Sequence, residues 1–216
     1  MSPLSLALLT HFMPTLLAGM TVNFEIAAIA LVLGLGSGSV LALVRYRGGI
    51  AGKSSGLVVG LMRAAPTFVV MFFLLNALPR SSLSGTMIVA VSLVPYAAAY
   101  VADSGVDALR QYHEGSHLAC LLILPNIARA FFVLVMSSSA GAAIGVPEAI
   151  SMILRQAQKL HSIGGMLVLF MIGIVCFGVP MQLGFAAVRM LQRRLARLVV
   201  NASARALPPV SVAPAE

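Results

Sequence analysis

Charged residues are scarce in this chain, and tryptophan is absent. Of its 216 residues, 9% are charged and 60% are apolar, and the mean hydropathy is +1.01. Ordinary soluble domains carry roughly 25% charged residues. A disordered chain is excluded because disorder requires low hydrophobicity. A soluble globular domain is disfavoured because a domain of this size cannot hide so much apolar surface. Most of the chain is therefore predicted to face lipid.

Acidic residues are scarcer than basic ones. The chain has 6 Asp and Glu residues against 14 Lys and Arg residues, for a formal charge of +8. A nucleic-acid binder concentrates its basic residues on one face and interleaves them with aromatic residues. Here the basic residues are dispersed between apolar runs, so no nucleic-acid partner is predicted.

Residues that carry chemistry are also few. The two cysteines, Cys120 and Cys176, lie inside apolar runs and form no Cys-x-x-Cys pair. The four histidines fall in loops or at span ends, without the spacing of a two-histidine metal site. The sequence therefore predicts a protein that is not an enzyme, with no catalytic residues, no metal and no cofactor.

The apolar residues fall into five runs that are long enough to cross a membrane. A membrane-spanning helix needs about 20 mostly apolar residues, and a helix satisfies its backbone groups internally. The runs do not alternate with period two, which disfavours a β-barrel. The chain is predicted to be an all-α, polytopic membrane protein with five transmembrane helices, at residues 16–44, 57–78, 83–102, 118–136 and 164–191.

The basic residues predict an orientation for these spans. Cytoplasmic segments are enriched in Lys and Arg. With the N-terminus outside, ten of the 14 basic residues lie on inner segments and three on outer segments, while Arg129 lies within a span. We therefore predict an N-out, C-in arrangement. Residues 1–200 are predicted to form one membrane domain, with a short interfacial helix at 4–12 ended by Pro14, and residues 201–216 a flexible tail.

Small and polar residues mark special positions in the spans. Gly34, Gly36 and Gly38, with Ser37 and Ser39, predict a surface for close helix packing. Polar groups at membrane depth either face a bundle interior or a wet cavity, or extend to the nearest interface.

Both alternatives are open for Glu25 and Arg63, while Arg129 lies deeper, just after Pro125. Three acidic residues are predicted to lie in a solvated inner loop after the third span: Asp103, Asp107 and Glu114.

The order of several short motifs resembles the permease subunit of bacterial ABC importers for polar amino acids, of the histidine, glutamine and glutamate type. The resemblance covers roughly residues 16–195. It rests on motifs that follow one another in the family's order: 17–21 and 23–27 in the opening span, Arg-Ala-Ala-Pro at 63–66, Ala-Ala-Tyr-Val-Ala-Asp at 98–103, Leu-Pro-Asn-Ile-Ala-Arg at 124–129, and Ile-Gly-Val-Pro-Glu at 144–148 with Ala-Gln at 157–158.

The resemblance implies a type I ABC importer permease. Its partners would be an ATPase subunit, a sister or identical permease subunit, a periplasmic solute-binding protein and the lipid bilayer of the bacterial inner membrane. The residues implied to line the substrate pathway are Arg63, Tyr100, Arg129, Ser137, Ser138 and Ser139. Those implied to face the ATPase are Arg110, Glu114 and Gly115.

The chain also departs from the family pattern. The family's inner loop carries a Glu-Ala-Ala…Gly motif that docks into the ATPase, whereas the interval 103–124 is short here and lacks the motif's Glu. Where the family has Lys-Asp-Thr-Ser, this chain has Met-Ser-Ser-Ser at 136–139. An alternative function is therefore a degenerate, non-transporting permease-like protein that acts as a structural or regulatory partner of an intact permease.

Overall fold

The structure, a computed structural model, describes residues 12–79, 82–116, 123–160 and 162–206. Within these ranges the chain is helical, with short turns between the helices. The helices are α1 Met13–Arg47, α2 Gly49–Ala64, α3 Thr67–Ala77, α4 Gly85–His113, α5 Ile123–Ser137, the 3₁₀ helix Ser138–Ile144, α6 Ala149–Ala157 and α7 Ile163–Ala206.

The long helices α1 and α4 form the centre of the fold, and small residues let them approach closely. A Cβ atom added to Gly34 would lie 2.4 Å from the Cβ of Ala97, and one added to Gly38 would lie 2.6 Å from the carbonyl oxygen of Ala98. Positions four residues apart lie on one face of a helix, so Gly34 and Gly38 share this contact. Gly36 points into open space. Of the three glycines predicted to form a close-packing surface, Gly34 and Gly38 therefore contact α4 and Gly36 does not.

The predicted second span is broken. The chain bends by 90° between α2 and α3, where Ala65 and Pro66 are both extended. A residue before proline is disfavoured in the α conformation, so the helix ends at Ala64. A continuous helix over 57–78 is thus wrong, although the apolar run spans both pieces.

The predicted inner loop after the third span is also wrong. Helix α4 does not end at Ala102 but continues to His113, because no glycine-based stop signal interrupts it until Gly115. Gly115 has a φ of +80°, and the amide of Ser116 donates to the carbonyl of Gln111. This pair of features is a Schellman cap. Asp103 and Asp107 consequently lie on a helix, and Glu114 caps it.

The last two spans differ from prediction mainly at their ends. Part of the fourth, 118–122, lies outside the described residues, and α5 leads directly into the 3₁₀ helix. Helix α7 continues to Ala206, so six residues assigned to the tail are helical. Residues 207–216 and most of the predicted helix 4–12 lie outside the described ranges. Pro14 lies in the first turn of α1.

The described part of the chain fits a multi-pass membrane protein. Four of its helices are long and apolar enough to cross a membrane, or five spans if α2 and α3 are counted as one broken span. Large apolar side chains are exposed on the outside of the bundle, including Ile50, Phe73, Leu167 and Leu183. Exposed apolar surface on this scale fits a lipid environment.

Candidate functional site

A polar cavity of about 390 Å³ lies between α2 and α4. We call it the first cavity. Tyr96, Tyr100, Asp103 and Asp107 line it from α4, at spacings of three and four residues that place them on one helix face. Arg63, the penultimate residue of α2, lines the opposite side. The structure therefore brings together Arg63 and Tyr100, two of the residues that the resemblance placed on the pathway.

Asp103 joins three helices at this cavity. Its carboxylate forms ion pairs with Arg45, at the end of α1, and with Arg63, just before the bend between α2 and α3. Arg63 therefore does not extend freely to an interface, although its side chain remains 62% exposed. Asp107, one turn beyond Asp103, is exposed. The cavity thus presents cationic, anionic and phenolic groups together.

A second cavity, of about 460 Å³, lies between α5 and α7. Its polar lining residues are Arg129 and Ser137, which lie eight residues apart on α5. The aromatic rings of Phe132 and Phe185 pack together beside them, with centroids 4.4 Å apart. The second cavity shares no lining residue with the first. The predicted pathway residues are therefore divided between two places.

The serine run is divided as well. Ser137 lines the second cavity, and Ser139 is half-buried on the 3₁₀ helix. Ser138 is fully buried. Its hydroxyl donates to the carbonyl of Val135 and accepts from Asn23, so it faces the protein interior and not a cavity.

Asn23, Ser138 and Glu148 form a buried polar cluster that ties α1 to the start of α6. The Asn23 Nδ2 atom lies 2.8 Å from Ser138 Oγ and 3.1 Å from Glu148 Oε2, and the amide of Ala149 donates to Asn23 Oδ1. Glu148 also caps α6 by accepting from the amides of Ile150 and Ser151. Each polar group of the cluster therefore has a partner, as buried polar groups require.

Burial and hydrogen bonding act in opposite directions on the pKa of the Glu148 carboxyl. Burial raises its pKa, because a charged carboxylate is disfavoured away from water. The hydrogen bonds from Ile150, Asn23 and Ser151 lower the pKa and oppose the effect of burial. The cluster thus stabilises a carboxyl that would otherwise be costly to bury.

The three predicted docking residues lie together at the end of α4. Arg110, Glu114 and Gly115 are all exposed there. The neighbouring His113 ring packs against Tyr46 of α1, with centroids 5.1 Å apart, so this end of α4 is still in contact with α1. In 103–116 the chain forms the continuation of α4 and its cap rather than a separate short helix.

Sequence reasoning missed the ion pairs of Asp103 and the packing role of Asn23. The helical spacing of Tyr96, Tyr100, Asp103 and Asp107 is a signal that could have placed the acids on a helix face. Asn23 was a buried polar residue in an apolar run, but its partner Glu148 is 125 residues away in sequence. No group of three or more metal-ligating side chains lies together in the described ranges.

The arrangement of these helices matches solved structures. One is the crystal structure of an amino acid ABC transporter with histidines, with a TM-score of 0.65, 17% identity, and coverage of 86% of this chain and 96% of that chain. The chain has the fold of an ABC transporter permease. A second neighbour is the MetNI methionine ABC transporter in an inward-facing conformation, with a TM-score of 0.60, 16% identity, and coverage of 92% and 99%.

The structural match establishes the permease fold that the order of the sequence motifs only suggested. The sequence matches no protein-family profile and no curated protein. At identities of 16–17% the likeness establishes the fold alone, because one fold supports different functions. The expected permease fold is therefore confirmed, while the function of the chain is a matter for proposal.

Proposed function

We propose that the chain is the membrane-spanning permease subunit of an ABC importer for polar amino acids or similar small solutes, driven by an ATPase on a separate chain. The observation that carries the proposal is the match to transporter chains over nearly their whole length. The polar first cavity supports it, because a concave site with a few convergent polar groups is the usual form of a small-molecule site.

The first cavity is the proposed substrate pathway. Arg63 and Tyr100 provide a cation and a phenolic hydroxyl there, and Asp103 and Asp107 provide carboxylates. These groups suit a solute that carries both charges, such as an amino acid. The other pathway predictions from the resemblance, which lie outside the first cavity, stay predictions: Arg129, Ser137, Ser138 and Ser139.

The exposed end of α4 is the proposed contact with the ATPase. Arg110 and Glu114 offer charges of both signs on a rigid helix end. The bacterial inner membrane, the N-out and C-in orientation, a second permease subunit and an outer binding protein belong to the same proposal, and they rest on the resemblance and on the distribution of basic residues.

A specific observation favours the alternative role as a structural or regulatory partner. Within 103–116, the described part of the interval in which the family carries its docking element, the chain continues α4 to His113 and then caps it, and no separate short helix lies in that stretch. A chain that retained the fold but lost this element would assemble with an intact permease without coupling to ATP hydrolysis.

Co-purification with candidate ATPase subunits distinguishes the two roles. The full chain is co-expressed with each ATPase in turn and purified in detergent, and a stable complex is expected. The double variant Arg110→Glu with Glu114→Arg should reduce recovery of the ATPase at least about tenfold, since it inverts the charges of the contact. The variant Arg155→Glu, on the exposed side of α6, serves as the matched control. Association with a permease but with none of the ATPases would support the alternative.

A further inference from the structure

The second cavity, lined from α5 and α7, shares no residue with the proposed substrate pathway. The second cavity continues into an apolar cavity of about 300 Å³, and the two share Met136 and Met181. The lining of the apolar part comes from α5, α6 and α7, and none of its side chains is charged or hydrogen-bonding: Met136, Ile150, Ile153, Phe170, Ile174, Phe177 and Met181, with Gly173 and Gly178. We call the combined feature the α5–α7 groove.

One end of the groove is cationic. Phe132 and Phe185 are in ring contact, and α5 and α7 run antiparallel at this point. Arg129 precedes Phe132 by three residues and Arg189 follows Phe185 by four, so both arginines lie about one turn beyond the ring pair toward the same end. Neither arginine forms an ion pair in the part of the chain that the structure describes.

No carboxylate of these helices can neutralise that charge. The sequences of α5, α6 and α7 contain no Asp or Glu. Arg193 and Arg197 continue the basic face of α7 at four-residue intervals and are exposed. A guanidinium beside apolar surface is stabilised by an anionic partner, and α5, α6 and α7 supply none.

We propose that the α5–α7 groove binds an anionic phospholipid, with its phosphate on Arg129 and Arg189 and one acyl chain along the apolar part. The lengths agree. Arg189 and Gly178 are eleven residues apart, or about 16 Å along the helix, which is close to half of a roughly 30 Å hydrocarbon core. The inference stands independently of the transport role and assigns Arg129 to a lipid instead of to the cargo.

A second copy of the chain is a poorer occupant. A symmetric pair of copies joined through this groove would place the same surface on both sides, so it would add further arginines to the interface and no carboxylate from α5, α6 or α7. An anionic headgroup supplies the missing negative charge, and juxtamembrane basic clusters attract anionic lipids in the same way.

Two variants address the two ends of the site. Arg129→Gln removes charge at the headgroup end. Gly178→Leu fills the apolar end, where an added Cβ meets no atom within 4 Å, so the helix packing is expected to survive. Arg155→Gln and Gly36→Leu are matched controls, because Arg155 is exposed on α6 and a Cβ on Gly36 also meets open space. If Arg129→Gln fails to fold, Arg189→Gln replaces it.

The experiment measures binding of phosphatidylglycerol and phosphatidylcholine with identical acyl chains to the purified full chain by native mass spectrometry, with the melting midpoint of the lipid-free protein as a folding check. Wild type should prefer phosphatidylglycerol. Arg129→Gln should weaken its binding about tenfold or more and leave phosphatidylcholine unchanged. Gly178→Leu should weaken both lipids, and the controls neither.

Three results would overturn the proposal. Equal binding of the two lipids by wild type would remove the role of the arginines. A Gly178→Leu variant that dissociates a dimer but binds lipid normally would assign the groove to a second copy. An Arg129→Gln variant that loses amino-acid binding while keeping phosphatidylglycerol would assign it to cargo.

Discussion

Asn23 is buried and makes three hydrogen bonds to parts of the chain that are distant in sequence. Its amide contacts the 3₁₀ helix, Glu148 and the first amide of α6, and its α1 neighbour Gly19 lies so close to α6 that an added Cβ would approach Ala149 N to 2.8 Å. A single side chain therefore sets the position of α6 relative to α1.

Replacing Asn23 by Leu should lower the free energy of unfolding by about 2–4 kcal/mol, because Glu148 and the Ala149 amide lose a buried partner. The melting midpoint in detergent measures the effect. Asn76→Leu is the matched control, since Asn76 is exposed and bonds only to its own helix, and it should change stability by less than about 0.5 kcal/mol. Equal effects of the two variants would contradict the role of the cluster.

Asp103 links α1, α2 and α4 through its ion pairs with Arg45 and Arg63. Its contribution to the free energy of unfolding should depend on the salt concentration. Asp103→Asn leaves Arg45 and Arg63 facing each other without their shared anion. We expect a loss of about 1 kcal/mol at low salt, reduced by the partial exposure of the pair, and a smaller loss at high salt because ions screen exposed charges. Thermal unfolding at both salt concentrations measures it. A salt-independent loss would show that packing, not charge, is involved.

At the scale of the helices, the packing of α1 against α4 depends on which glycines of α1 face α4. Gly34→Ala and Gly38→Ala should each lower stability by about 1–3 kcal/mol, because the added Cβ would overlap Ala97 or the backbone at Ala98. Gly36→Ala should be neutral or raise stability by up to about 1 kcal/mol through helix propensity. Detergent melting curves of the three variants test this ranking, and a destabilised Gly36→Ala would contradict it.

Among the elements, the existence of the membrane-spanning helices was predictable from the sequence. An apolar run long enough to cross the membrane must be helical, so the existence of the spans followed from composition. Their ends did not. The break in the second span depends on Ala65 and Pro66. The apolar residues on both sides of this pair concealed the signal. The length of α4 depends on the absence of a stop before Gly115, and charged residues at 103–114 were mistaken for a loop.

The functional sites were predictable only in part, because their contacts are distant in sequence. Arg63 and Tyr100 share a cavity as the resemblance implies, yet Asp103 was assigned to solvent. The hydrogen bond between Asn23 and Glu148 joins residues 125 positions apart. No local sequence pattern predicts a contact between residues so distant. The separation of Arg129 from Arg63 likewise depends on how α5 and α7 pack.

At the scale of the whole molecule, orientation is the first property to test. A fluorescent protein fused after Glu216 should fold and fluoresce in the cytoplasm, while alkaline phosphatase fused there should be inactive, because the basic residues predict an inner C-terminus. A fusion of alkaline phosphatase at residue 81, between α3 and α4, should be active and serves as the opposite control. The reverse pattern would contradict the N-out arrangement.

The central proposal is that this chain carries a solute across the membrane at the expense of ATP hydrolysed on a partner chain. Proteoliposomes that contain the chain, its ATPase and ATP test it most directly, through uptake of radiolabelled polar amino acids delivered by the binding protein. The account predicts uptake that requires ATP, stops with a catalytically inactive ATPase and falls sharply in Asp103→Asn. A complex that assembles and hydrolyses ATP but accumulates no solute would contradict the account.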